Sequence, residues 1–179
     1  MRRMNAILSV LILALFLLHG VLGAFQMFGV GSATMKGLAY AMLVLIAVHA
    51  LLGIRLTIDS VLIWRRTGAG YFKQNRLFWA RRLSGLAVML LIGFHVMAFS
   101  YTVDGAFRLR WFDAFRLTTQ ILLVASIAAH VITNVRPALI ALGIRRLKPR
   151  AADLLFILSA MLVVMAVSFI IYYIRWNAA

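Results

Sequence analysis

The chain has 179 residues, of which 65% are apolar and 13% charged, with a formal net charge of +15. The charges gather in short clusters between uncharged runs of about 20 residues, the length of helix that crosses roughly 30 Å of hydrocarbon, so a soluble domain is excluded. The basic residues flank these runs, which makes the lipid bilayer rather than nucleic acid the expected partner. The sequence contains no cysteine, so thiolate metal sites, iron–sulfur ligation, disulfides and thiol catalysis are excluded. The only acids are Asp59, Asp104, Asp113 and Asp153, too few for a carboxylate relay through the membrane. The expected fold class is all-α integral membrane, because helices satisfy their own backbone in lipid and the shorter alternating segments of β-barrel strands are not seen.

In chain order, five spans are expected at 5–28, 37–58, 83–103, 114–135 and 153–174, forming one transmembrane domain over 1–179. The first run follows Met1-Arg-Arg and continues past Leu18 into His19-Gly-Val-Leu-Gly, longer than a signal-peptide core, so a retained helix is expected. After the second span, Ile58, Val61, Leu62, Ile63 and Trp64 read as a helical extension beyond the bilayer. Gly68-Ala-Gly70 reads as a turn and Phe72 to Trp79 as a short interfacial segment. The basic residues are distributed unequally between the two sides. All of them except Lys36, Arg108, Arg110, Arg116 and Arg175 fall with Arg2-Arg3, the 64–82 connection and the Arg145–Arg150 connection. The positive-inside rule makes that side cytoplasmic, with the N-terminus inside and the C-terminus outside in an inner (cytoplasmic) membrane.

Four histidines fall one per span in the first four: His19, His49, His95 and His130. An imidazole at membrane depth is costly, and a lone one is as often a helix–helix hydrogen bond as a ligand. Four in consecutive helices point to a shared role. Counted from the basic side at 1.5 Å per residue, His19 and His95 lie roughly 18–21 Å in, and His49 and His130 roughly 7–13 Å in. Alternate helices of an up-down four-helix bundle are diagonal neighbours. Each diagonal therefore presents two imidazoles at one level, the ligand set of a six-coordinate bis-histidine haem. The expectation is two b haems about 10 Å apart along the membrane normal, an outer one on His19/His95 and an inner one on His49/His130.

Small residues near the histidines (Gly20, Gly23, Gly53, Gly93, Ala128 and Ala129) suit macrocycle faces against backbone, and equally suit ordinary membrane helix packing. Haem propionates seek cations and hydrogen-bond donors. Candidates are Asn5, Trp79, Arg81 and Arg82 on the inner side, and Arg110, with Lys36 and Arg108 behind it, on the outer side.

This layout resembles the diheme cytochrome b anchor subunit of succinate:quinone and quinol:fumarate oxidoreductases, in its five-helix single-subunit form. The gaps between histidines are 30, 46 and 35 residues, and the last two are similar to that family's. So are the strings Phe78-Trp-Ala-Arg-Arg-Leu-Ser-Gly85 and His130-Val-Ile-Thr-Asn-Val-Arg-Pro137. The resemblance implies flavoprotein and iron–sulfur partners on the cytoplasmic face, two b haems, and a membrane quinone as substrate. The chain departs from the family in having no glutamate, a residue that some diheme members use at the outer end of the second helix. Gln26, Lys36 and Asp104 are the nearby polar residues. Competing readings are the cytochrome b of a hydrogenase or formate dehydrogenase, a b561-like cytochrome, or a haem-free transporter or assembly protein.

Overall fold

The computed structural model describes residues 1–28, 35–68, 76–99, 102–103, 106–107, 112–144 and 147–178. It contains five long helices: α1 (Arg2–Met27), α2 (Met35–Thr67), α3 (Arg76–Phe99), α4 (Ala114–Ala141) and α5 (Leu147–Asn177). All five are long and apolar enough to cross a membrane, and the chain is an all-α, multi-pass membrane protein. A two-residue antiparallel ladder, β1 (Thr102–Val103) with β2 (Ala106–Phe107), joins α3 to α4.

Helix ends differ from the expected spans for local reasons. The 33 residues of α2 make a rod about 50 Å long, which overshoots the hydrocarbon layer. The helix stops at Gly68, whose φ of +61° and N–H bond to the Trp64 carbonyl form a left-handed cap. Arg65 and Arg66 in its last turn oppose the negative end of the helix dipole. Residues 69–75 lie outside the described set, but Phe78 and Trp79 belong to the first turn of α3, not to a separate interfacial segment. That helix ends at Phe99, and the third span does not continue to 103 as helix because β1 begins at Thr102.

Asp113 caps α4, its carboxylate accepting from the Arg116 N–H at 2.8 Å and pairing with the Arg116 guanidinium at 2.7 Å. The other end of α4 is a Schellman turn. Gly143 (φ +78°) donates to Ile140 and Ile144 donates to Leu139.

The packing centres on α5, the one helix without a histidine. Leu158, Leu162, Met165, Phe169 and Tyr172 are all buried and repeat at alternating steps of four and three, the seam of left-handed helix packing. The Leu158–Met165 part packs with Leu13, Phe16 and Leu17 of α1 and with Val124, Ile127, Ala128 and Val131 of α4. The Phe169–Tyr172 part joins Phe112 in a second cluster with Met27 and Phe99. α1, α3 and α5 therefore end where α4 begins, so α4 runs antiparallel to all three. Further packed pairs are α3 with α4, and α1 with α2 and α4. Among the described residues α2 has only α1 as a substantial helix neighbour and no buried residue in its apolar stretch.

Lipid chains are as apolar as leucine, so trimming the seam loses packing but little transfer energy. Leu158→Ala is expected to cost about 1–2 kcal/mol, the cavity contribution alone. Val163→Ala, on an exposed face of the same helix, is expected to fall within about 0.5 kcal/mol of wild type. Reversible denaturant titration in mixed micelles measures both; equal costs would mean that the seam does not hold α5.

Candidate metal centre

The four imidazoles meet as two diagonal pairs. The ring centroids of His19 (α1) and His95 (α3) are 6.0 Å apart with planes at 75°. Those of His49 (α2) and His130 (α4) are 6.2 Å apart at 87°. Two imidazoles sharing one metal ion through nitrogens at about 2 Å place their centroids about 6 Å apart. All four side chains are half-buried, and the diagonal helices have little other backbone contact.

The second nitrogen of three of these rings is held by the adjacent helix. Ser9 of α1 gives its one proton to the Asn5 carbonyl at 2.8 Å. Its oxygen, 3.4 Å from His49 Nδ1, can then only accept from that nitrogen. Ser84 of α3 likewise donates to the Arg81 carbonyl at 3.3 Å and sits 3.3 Å from His130 Nδ1. Gln120 of α4 turns its amide nitrogen toward Thr119 Oγ1 at 3.3 Å, so its oxygen accepts from His95 Nδ1 at 2.8 Å. These contacts are compatible with a proton on Nδ1 and an Nε2 lone pair left for a metal, the arrangement of metal-binding histidines with a supporting partner. Among the described residues His19 has no such side-chain partner. No three His, Cys, Asp or Glu side chains of the described residues converge on one point, so the donor geometry is two and two.

The strings 78–85 and 130–137 touch each other in space. Pro137 lies inside α4 and lacks the N–H that the Thr133 carbonyl would otherwise accept. Arg81 of α3 supplies the missing donor, its Nε reaching the Thr133 carbonyl at 2.9 Å. Gly85 leaves space for the ring beside it: a Cβ there would stand 3.1 Å from His130 Cε1 and 3.3 Å from Nδ1. The contacts Arg81–Thr133, Ser84–His130 and His95–Gln120 all follow one antiparallel register of α3 on α4. Along it the two imidazole levels are ten to eleven residues apart, about 15–16 Å of helix. The sequence-based value of about 10 Å is shorter because it counts from span ends that the helices overrun.

Of the expected propionate partners, Arg82 is half-buried with its guanidinium carbon 5.1 Å from the Phe78 ring centroid. Trp79 packs edge-on against Phe78 and is largely exposed. Asn5 lies one turn before Ser9, and among the described residues its buried Oδ1 has no hydrogen-bond partner. Arg110, Arg108 and Asp104 lie outside the described residues, as does the Lys36 side chain.

The small residues near the histidines differ in their surroundings. A Cβ at Gly20 would run into the Met165 side chain, and Ala128 packs against the α5 seam, so both serve helix packing. Among the described residues, nothing lies within 4 Å of a Cβ added at Gly23, Gly53 or Gly93. Ser9, Ser84, Gly85 and Gln120 are absent from the sequence-based candidates. A glutamine within a predicted span is the sequence signal for one of them.

Comparison with protein-family models, with curated proteins and with solved structures finds no match to this chain.

The Arg81–Thr133 contact makes a prediction that depends on Pro137. Arg81→Leu leaves the Thr133 carbonyl without a donor and is expected to cost about 1–3 kcal/mol. In a Pro137→Ala background the residue-137 N–H takes the carbonyl and most of that cost vanishes. A double-mutant cycle by denaturant titration measures the coupling. An Arg81→Leu cost that is the same in both backgrounds would show that the carbonyl is not what Arg81 serves.

Proposed function

We propose that this chain is a two-haem cytochrome b anchor subunit of the succinate dehydrogenase/fumarate reductase type. In this reading it lies in an inner (cytoplasmic) membrane with its N-terminus inside. It links flavoprotein and iron–sulfur partners on its basic face to a membrane quinone. The observation that carries the reading is the pairing of imidazoles: two diagonals, each about 6 Å between ring centroids, with Nδ1 tied on three of the four rings. A convergent zinc or copper site would gather three or four donors at one point. A haem-free transporter would be expected to carry a carboxylate relay or broken helices. Neither pattern occurs among the described residues.

Bound to these pairs, haem iron supplies reversible one-electron chemistry. The chain's own residues bind and orient. His19 and His95 would hold one haem, and His49 and His130 the other. Ser9, Ser84 and Gln120 fix three rings in the tautomer that exposes Nε2. Asn5, Trp79 and Arg82, near the inner pair, are assigned to its propionates, and Arg110 to those of the outer one. In this reading the hydrocarbon of the bilayer excludes water, which keeps the polar contacts at the pairs strong. Succinate or fumarate chemistry belongs to the soluble partner in this reading, and the chain by itself catalyses neither.

The purified chain, made with ample haem supply, is expected to hold two b haems by pyridine haemochromogen assay. His19→Ala and His95→Ala should each lose one and the same spectral component, and His49→Ala and His130→Ala the other. A colourless wild-type protein would overturn the proposal, and so would loss that does not follow the diagonals.

A further inference from the structure

The two imidazole pairs are not supported alike. The rings of the His49/His130 pair face hydroxyl oxygens at 3.4 and 3.3 Å, both of which are already donating to backbone carbonyls, and His130 also meets the Arg81 backbone. His95 instead faces the amide oxygen of Gln120 at 2.8 Å. Gln120 is fully buried, at 0% exposure. Its amide is anchored in turn, because Nε2 donates to Thr119 Oγ1 and that hydroxyl donates to the Arg116 carbonyl at 2.8 Å. The Asp113 cap fixes the same turn of α4. His95 thus ends a chain of donors and acceptors rooted in the start of α4.

An amide oxygen is a stronger acceptor than a hydroxyl that is already engaged, and a short bond in a water-free interior is stronger still. Pulling on the Nδ1 proton makes Nε2 more electron-rich, and an electron-rich axial nitrogen favours the oxidised metal. We infer that Gln120 is a positioning residue that holds His95 in its ligating tautomer and lowers the reduction potential of the haem on His19/His95, setting it apart from the haem on His49/His130. This rests on the diheme reading above.

The test is a spectropotentiometric titration of the purified full chain, with the two components assigned by the His→Ala variants. Gln120→Leu keeps similar bulk but removes the acceptor. It should move the midpoint of the His19/His95 component to more positive potential and leave the other component where it was. Gln120→Glu keeps an acceptor oxygen and should show no positive shift. Thr119→Val frees the far side of the amide and should give a smaller positive shift at the same component.

A Gln120→Leu protein that sheds only the His19/His95 haem supports the inference if Gln120→Glu retains that haem without a positive shift. The inference is overturned if Gln120→Leu shifts neither component or both equally, or if Gln120→Glu moves positive with it. A wild-type protein without haem would defeat the diheme reading itself, which keeps the two failures distinct.

Discussion

A neutral imidazole has one nitrogen that donates and one that accepts, and inside a bilayer no water serves either. Much of the arrangement of this protein follows from serving three of its four such rings. For His49, His95 and His130 the adjacent helix serves Nδ1 and the diagonal helix presents the facing ring, so each of these three belongs to two helix contacts at once. α3 and α4 show this reciprocally. α3 supports the histidine of α4 through Ser84, and α4 supports that of α3 through Gln120. A shift of one helical turn between them would break both supports together and part Arg81 from the Thr133 carbonyl. Register is therefore specified by polar contacts, in a medium where apolar contact alone discriminates poorly.

Helices that converge only at paired side chains across a diagonal have little backbone packing with which to hold their positions. That stability has to come from elsewhere, which explains why the helix without a histidine is the best packed. The α5 seam grips α1 and α4, the two helices that carry one member of each pair. α3 is then held through α4, and α2 through α1. α2 is left as the least restrained member, and its histidine is steadied by a single hydroxyl at 3.4 Å.

The sequence shows the coarse plan because that plan follows from lengths and rises. Five apolar runs give five helices. A rise of 1.5 Å per residue with alternating direction sets His19 level with His95 and His49 level with His130. The supports are not legible in this way. Ser9 and Ser84 look like ordinary membrane-helix serines until their neighbours in space are known, since a hydroxyl can always fall back on its own helix carbonyl. Gln120 stands out chemically, but the sequence does not say which helix it faces. Gly20 sits next to His19 and yet packs against Met165, because residues adjacent in a helix point about 100° apart. The continuation of α2 past the hydrocarbon layer is legible in Ile58 to Trp64, whereas the start of α3 at Arg76 is not, because hydropathy stops reporting on helix in a basic stretch.

Pro137 illustrates how a local defect can become a long-range constraint. A proline inside a helix frees one carbonyl four residues back, and in lipid that carbonyl cannot be left open. Its donor must come from another helix, and only a side chain long enough to cross the gap can provide it. Arg81 does so from the first turns of α3, three residues before the serine that holds His130. The proline, the arginine, the serine and the histidine thus form one constraint that fixes how far α3 slides on α4. With that slide fixed at the basic end, the length of the helices carries the same register to Gln120 and His95 at the other. Two short strings, each unremarkable alone, acquire their meaning by meeting.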